Sequence, residues 1–192
     1  MKLRPFLRSF RPLLLLLAAI WAVELLNWAL GYRLNDWLGL RPRTAEGLIG
    51  VVTMPFLHAS MDHALANTIP LAVLGVLGVI IAPRRFYGAT VAIVLASGLA
   101  LWFFARPNTI HVGASGLIFG WAGYLTALGF IERSVRTIIG SVIVIAAYGG
   151  MIWGVIPRSG LPISWGAHLF GAAAGVAAAY LQTTRFWPRR WR

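Results

Sequence analysis

Long apolar runs alternate with short polar breaks along the whole chain. The runs cover approximately residues 12–31, 58–82, 86–105, 115–131, 136–155 and 164–181. A helix needs about 20 mostly apolar residues to cross the hydrocarbon core of a bilayer, and most of these runs have that length. Because the runs carry few charges, they are typical of transmembrane helices rather than of the core of a water-soluble domain. The pattern predicts an all-α integral membrane protein built as a bundle of six transmembrane helices.

The fourth run is short, and it opens on Ser115 after the small residues Gly113 and Ala114. A helix of this length starts below the membrane surface, so we expect a partly sunken fourth helix. Backbone outside a helix is tolerated at that depth only where protein buries it or water reaches it. The turn at Gly113–Ser115 therefore predicts a water-filled cavity.

The breaks between the runs indicate how the chain is divided. We expect a basic N-terminus at 1–11, one membrane domain at 12–182 and a basic tail at 183–192. The polar segment 32–47 is long for a connection, so it should pack on the surface as short interfacial helices. The basic start followed by an apolar run also resembles a signal peptide, but the run continues to about Leu30, which favours a retained first span.

Composition supports a membrane protein. The chain is 59% hydrophobic and 11% charged, with a mean hydropathy of +0.76, whereas soluble domains carry about 25% charged residues. It has no cysteine, which excludes thiol nucleophiles and Cys-ligated zinc.

The net charge of +12 comes from basic residues that flank the apolar runs, and this flanking predicts topology. Twelve basic residues lie on the predicted cytoplasmic side: Lys2, Arg4, Arg8, Arg11, Arg84, Arg85, Arg133, Arg136, Arg185, Arg189, Arg190 and Arg192. Five lie on the other side: Arg33, Arg41, Arg43, Arg106 and Arg158. We expect both termini in the cytoplasm of a bacterial-type plasma (inner) membrane, with the start of the fourth helix near the outer side. No pattern of a nucleic-acid-binding domain is present.

Ser115 has the setting of a nucleophile, provided that a base lies beside it. Histidine is the usual base, because its pKa is near neutrality. The chain has four histidines: His58, His63, His111 and His168. Only His168 lies well inside an apolar run, where Ala167, Gly171 and Gly175 recur every four residues and share one helix face. Small residues at this spacing let two membrane helices approach closely.

Gly116 and Gly120 offer a matching small surface on the fourth run, so His168 and Ser115 should lie on neighbouring helices. No Asp or Glu lies in residues 115–131, 136–155 or 164–181. The sequence therefore predicts a Ser–His dyad rather than a triad. Simple helix packing is the alternative for the glycines, an N-terminal cap or helix packing is the alternative for Ser115, and a structural hydrogen bond is the alternative for His168.

His63 and Asn67 are four residues apart and face the same way on a helix. Amide and imidazole donors of this kind stabilise a developing oxyanion. The alternative is a polar helix start that only caps and solvates, which His58, Ser60 and Asp62 fit in part. His58 and His63 are five residues apart and do not share a face, so we expect no metal and no cofactor.

Glu24 interrupts the first run. An acid at this depth is either part of a functional site or bonded to a neighbouring loop or helix.

Three segments then identify a resemblance. Residues 58–67 read H-A-S-M-D-H-A-L-A-N and match H-x4-H-x3-N, residues 113–116 match G-x-S-G, and residues 167–175 match A-H-x2-G-x3-G. In this order and on these runs, the chain resembles the rhomboid family of intramembrane serine proteases.

The resemblance implies a rhomboid-like bundle in which Ser115 is the nucleophile and His168 the general base and acid. Asn67, His63 and the backbone amide of Ser115 would then form the oxyanion hole. The residues implied to pack around the site are Gly113, Gly116, Phe119, Gly171 and Gly175.

The family cleaves transmembrane segments of other membrane proteins near the outer face of the bilayer. The resemblance implies lateral entry past the fifth span and an overlying loop, with Trp153 and Pro157–Pro162 as candidate elements. Ile49-Gly50 stands where members often carry Trp-Arg, which puts the anchoring of the first loop in question. Phe119 stands where members often carry tyrosine, so stacking on His168 would remain without the hydroxyl.

Two other functions compete with the protease. One is a catalytically silent, derlin-like relative that binds membrane clients, although such proteins typically lack the serine or the histidine. The other is a small channel or transporter, whose polar residues would line a path through the membrane rather than cluster towards one face.

Overall fold

A computed structural model describes residues 3–156 and 164–183, which form helices and no strands. The α-helices are α1 (Leu3–Arg8), α2 (Arg11–Ala29), α3 (Arg33–Leu38), α4 (Gly50–Thr53), α5 (Met61–Ile81), α6 (Phe86–Phe104), α7 (Ser115–Glu132), α8 (Val135–Tyr148) and α9 (Trp165–Thr183). Short 3₁₀ helices occupy Glu46–Ile49, Met54–Phe56 and Gly149–Val155. The overlying loop that the resemblance implies at Pro157–Pro162 lies outside the described residues, as does the tail beyond Thr183.

Within the described residues, four helical segments are long and apolar enough to cross a membrane. They are Phe6–Ala29, Met61–Ile81, Phe86–Phe104 and Val135–Val155. Their length and composition are those of an integral membrane protein. The sequence predicts two more spans at the positions of α7 and α9, and the count of six stays a prediction.

Helix α7 is the centre of the bundle, since 11 of its 18 residues are buried. Helix α9 packs along it through a glycine interface formed by Gly116, Gly120, Gly171 and Gly175. A Cβ atom added at Gly171 would collide with the Gly116 carbonyl oxygen, and one at Gly175 with the Gly120 carbonyl oxygen. The absence of side chains therefore lets the two backbones touch, as the four-residue spacing predicts.

At the end of α7 away from Ser115, an ion pair fixes the helix. Arg85, in the turn between α5 and α6, lies 2.5 Å from Glu132. Helix α7 thus reaches one residue further than the predicted run and ends in an acid. Tyr124 donates a hydrogen bond to Gln182 of α9 (2.8 Å), and both side chains are buried.

The segment after α2 folds as short helices on the surface, and Trp37 of α3 is 63% exposed. Leu40 and His111 exchange two backbone hydrogen bonds of 3.0 and 2.9 Å. The Arg43 guanidinium donates to the carbonyls of Phe103 and Ala105, each at 2.9 Å. The first loop is thus anchored by Arg43 on the end of α6, without a Trp-Arg pair.

Gly50 occupies a position where any side chain would overlap the backbone of Leu40. Because Gly50 has no side chain, the backbone at Leu40 can pass directly over the start of α4. This contact gives Gly50 a structural role at the position where the sequence departs from Trp-Arg.

The fifth run departs from a regular α-helix. Helix α8 ends at Tyr148, and the chain continues as the 3₁₀ helix Gly149–Val155, in which no residue is buried. Between α8 with this 3₁₀ helix and α9 lies an apolar cleft of about 640 Å³, with α7 as its floor. Phe119, Tyr148, Met151 and Val176 are among its lining residues.

Candidate active site

The structure brings Ser115 and His168 into hydrogen-bond contact. Ser115 is the first residue of α7, and His168 lies one turn into α9 with 8% of its surface exposed. Ser115 Oγ and His168 Nε2 are 2.9 Å apart. The glycine interface fixes this distance, because it sets both the spacing and the register of the two helices.

A backbone carbonyl determines which nitrogen of His168 carries the proton. His168 Nδ1 lies 2.9 Å from the carbonyl oxygen of Gly154. Because a carbonyl oxygen only accepts, Nδ1 donates to it, and Nε2 is left free to accept the Ser115 hydroxyl. Within the described part of the chain no carboxylate hydrogen-bonds to His168, so Gly154 occupies the position of a third triad member.

Phe119 holds the plane of the His168 ring. The two rings are stacked, with centroids 4.1 Å apart and planes 7° apart. Phe119 lies one turn after Ser115 on α7, so a single helix supplies both the hydroxyl and the stacking surface. The arrangement leaves His168 little freedom to rotate away from Ser115.

Two polar side chains of α5 face the turn before Ser115. Gly113 has a φ of +119° and donates its N–H to the Met54 carbonyl (2.9 Å). A Cβ atom at Gly113 would lie 3.0 Å from His63 Nε2 and 3.8 Å from Asn67 Nδ2. Glycine is therefore required here both for its backbone conformation and for the space it leaves.

The amide of Asn67 is a donor that has no acceptor. Asn67 is 6% exposed, and its Nδ2 makes no hydrogen bond to any described residue. Buried polar groups are nearly always hydrogen-bonded, so an orphaned donor indicates a place where another acceptor binds. An oxyanion on a carbon attached to Ser115 Oγ would be such an acceptor.

His58 is not the solvated group at a helix start that the sequence allowed. It is fully buried, and Ser60 caps α5 by accepting the backbone N–H of His63 (3.2 Å). His58 Nδ1 lies 3.8 Å from Glu24 Oε2 of α2. Burial, with His63 nearby, lowers the pKa of His58 to about 4, so the ring is neutral at physiological pH.

Three contributors to the site carry no motif in the sequence. Gly154 and Met54 contribute through their backbone carbonyls. Because every residue has a backbone carbonyl, the residue type at these positions gives no sign of the contact. His111 bonds through Nδ1 to the Ser164 hydroxyl (2.8 Å) and through Nε2 to the Thr109 hydroxyl (2.9 Å). It ties the segment before Ser115 to the start of α9, which a search for a catalytic base could not reveal.

The site has no arrangement suited to a metal. Among residues 3–156 and 164–183, no three His, Cys, Asp or Glu side chains are close enough together to hold an ion. The polar groups of the site are instead hydroxyl, imidazole and amide, which are the groups of acyl transfer.

Comparison with known proteins gives the family of the chain. The family model described as Rhomboid domain matches residues 45–185, a range that contains His63, Asn67, Ser115 and His168. Uncharacterized proteins of Mycobacterium bovis and Mycobacterium tuberculosis are 42% identical over 176 residues, covering 88% of this chain and 73% of their own length. An uncharacterized protein of Mycobacterium leprae is 39% identical over 176 residues, covering 88% of this chain and 69% of its own. The chain, whose described part contains four apolar helices long enough to span a bilayer, belongs to the rhomboid family of membrane proteins.

Proposed function

We propose that the protein is an intramembrane serine endopeptidase that uses a Ser115–His168 dyad. The observation that carries the proposal is the 2.9 Å contact between Ser115 Oγ and His168 Nε2, with Nδ1 bonded to the Gly154 carbonyl. A serine becomes nucleophilic when an oriented base accepts its proton, and this geometry provides both the base and its orientation.

In the first half-reaction, His168 Nε2 takes the proton as Ser115 Oγ bonds to the carbon of the scissile peptide. The carbonyl oxygen becomes an oxyanion, for which the Ser115 backbone N–H, Asn67 Nδ2 and His63 are the donors. The imidazolium then gives its proton to the leaving amine, and an acyl-enzyme forms. In the second half-reaction water is deprotonated by His168 and attacks the ester, and the proton returns to Ser115 Oγ as the acid product leaves.

The substrates in this proposal are transmembrane segments of other membrane proteins. The apolar cleft beside α8 and the 3₁₀ helix includes Phe119, which touches His168, so it offers an apolar route from lipid to the dyad. Trp153 is 60% exposed on the 3₁₀ helix that borders this route. The basic residues flanking the helices support a fold of six spans with both termini in the cytoplasm of an inner membrane. The site would then open to the outer side.

Labelling with a serine-directed fluorophosphonate tests the dyad directly. Wild type should be labelled in detergent, whereas Ser115→Ala and His168→Ala should not. Ser97→Ala is the matched control, because Ser97 is a buried serine that donates to the Ile93 carbonyl within its own helix (2.6 Å). Equal labelling of wild type and Ser115→Ala would overturn the proposal.

A cleavage assay on a model transmembrane segment in liposomes covers the case in which the probe cannot enter. Folded wild type that neither labels nor cleaves, but captures the segment, would favour the silent client-binding alternative. Asn67→Ala should lower kcat by about 100-fold if the amide donates to the oxyanion. An unchanged rate would leave Asn67 with a packing role only.

A further inference from the structure

Behind the predicted oxyanion hole lie two buried ionisable side chains that the proposed mechanism does not use. Glu24 of α2 and His58 are both fully buried, with Glu24 Oε2 3.8 Å from His58 Nδ1. Neither of these atoms, nor His58 Nε2, hydrogen-bonds to any described residue. A carboxyl oxygen and two ring nitrogens that are buried without hydrogen bonds in the same apolar place need an explanation.

A single proton between Glu24 Oε2 and His58 Nδ1 would give both atoms a hydrogen bond. If the carboxyl group carries it, the O–H donates to His58 Nδ1, and if the imidazole carries it, the N–H donates to Glu24 Oε2. A movement of less than 1 Å brings the two atoms from 3.8 Å to hydrogen-bond distance. Glu24 and His58 are thus able to orient one another.

Neighbouring groups hold this pair in place. The Tyr32 hydroxyl donates to Glu24 Oε1 (3.4 Å), and the carbonyl of His58 accepts from Asn35 Nδ2 (2.9 Å) and Asn27 Nδ2 (3.4 Å). The main chain of His58 is therefore fixed to α2 through Asn27 and to α3 through Asn35. From α2, Glu24 also approaches the side chain of His58.

The His58 ring in turn touches the predicted oxyanion donor. The rings of His58 and His63 meet edge to face, with centroids 5.1 Å apart and planes at 82°. His63 lies against Gly113 on its other side. A continuous contact thus runs from Glu24 through His58 and His63 to the turn that precedes Ser115.

We propose that Glu24 is a positioning residue, which orients His58 through a shared proton and thereby holds the His63 ring at the oxyanion hole. This inference rests on the proposed function, because it gives His63 its role there. Glu24 acts only through other side chains and touches neither Ser115 nor His168.

The first test compares Glu24→Leu with Glu24→Gln in cleavage of a model transmembrane segment. Glu24→Leu should lower kcat by about tenfold with KM unchanged, because the loss falls on a transition-state contact. Glu24→Gln should restore most of kcat, since an amide also bonds to imidazole. If the leucine variant does not fold, Glu24→Asp replaces it, because its shorter carboxyl cannot reach His58 and should also lose kcat.

A matched control separates positioning from simple loss of stability. Gln182→Leu removes the buried hydrogen bond to Tyr124 (2.8 Å) at the other end of the bundle. It should lower the unfolding temperature without changing kcat. Wild-type kcat in Glu24→Leu, or an equal loss in the leucine and glutamine variants, would overturn the inference.

A double-mutant cycle tests the route through His63. In a His63→Ala background, Glu24→Leu should cause no further loss of kcat, because its target is gone. The same fold loss in both backgrounds would overturn the inference.

The ¹⁵N chemical shifts of the His63 ring give a readout that does not need activity. They should change in Glu24→Leu and stay unchanged in Gln182→Leu. Inactive wild type that shows this change would overturn the proposed function while supporting the contact. Active wild type with an unchanged His63 ring would overturn the positioning role alone.

Discussion

Helix α7 meets two very different neighbours, α9 on one side and α8 with its 3₁₀ extension on the other. Against α9, the two backbones touch through the glycine interface. This close packing holds Ser115 Oγ 2.9 Å from His168 Nε2. Only Thr137, Gly140, Ser141 and Val144 of α8 are buried, and between α8 and α9 a cleft of about 640 Å³ remains.

The difference separates two requirements of a protease within a membrane. The reacting groups must be held to within a fraction of an ångström, which close backbone packing achieves. The substrate, itself a helix in lipid, must enter from the side, which requires a neighbour that is loosely packed. In the proposed protease, each requirement would be met on a different face of α7.

Gly154 joins these two regions. It lies on the loosely packed 3₁₀ helix, yet its carbonyl accepts the hydrogen bond from His168 Nδ1. A displacement of this segment would therefore alter the orientation of His168. In the proposed mechanism, substrate entry and activation of Ser115 would be coupled through this one backbone atom.

The largest effect is expected at the glycine interface. Gly175→Ala would place a Cβ atom against the Gly120 carbonyl and should destabilise the protein by roughly 1–3 kcal/mol or more, with loss of cleavage. Gly88→Ala is the matched control, since its Cβ atom would meet only Gln182 Nε2 at 3.9 Å. Thermal unfolding in detergent measures both, and equal stability of the two variants would disprove the tight interface.

The next effect is expected where the two regions join. In Gly154→Ala the added Cβ atom would lie 2.9 Å from Phe119 Cζ and 3.2 Å from His168 Nδ1. We expect kcat to fall by about tenfold with little change in unfolding temperature, because a small displacement of the base is costly. Gly150→Ala, in the same 3₁₀ helix with no atom within 4 Å of the new Cβ atom, should retain wild-type kcat.

A smaller effect is expected from the stacked ring. Phe119→Leu keeps an apolar side chain in the cleft but removes a parallel contact worth about 0.5–1.5 kcal/mol, which lowers kcat by up to about tenfold. The steady-state rate on a model segment measures this loss. A wild-type rate would mean that the Gly154 hydrogen bond alone orients His168.

The smallest effect is expected in the dependence of stability on pH. It concerns His58, which lies away from the two faces of α7. The folded-state pKa of His58 is about 4, below the ordinary value of 6.5, so the unfolded chain binds more protons between these values. Stability should thus be full above about pH 6.5 and fall as the pH drops towards 4. We expect the unfolding temperature to fall by about 5 °C over this range, and less in His58→Asn. Glu24 and His63 face His58, and an identical pH profile in the variant would contradict this assignment.

Much of the fold could be predicted, because a membrane helix depends mainly on the hydrophobicity of its own stretch of sequence. The helices begin and end within a few residues of the predicted runs, since twenty apolar residues have few other structures open to them in lipid. The approach of α7 and α9 also followed from the sequence, because glycines four residues apart can only share a face. The surface helices after α2 followed from the polarity of that segment.

The sequence by itself determined which side chains are chemically able to act. Ser115, His168, His63 and Asn67 are unusual at their depth, so their residue types and spacing single them out. The tertiary structure alone decided how they are held. The Gly154 carbonyl that selects the tautomer of His168, the Arg43 contacts that anchor the first loop, and the pairing of Glu24 with His58 carry no motif. They depend on backbone atoms or on residues distant in the chain, which only the folded structure brings within reach of one another.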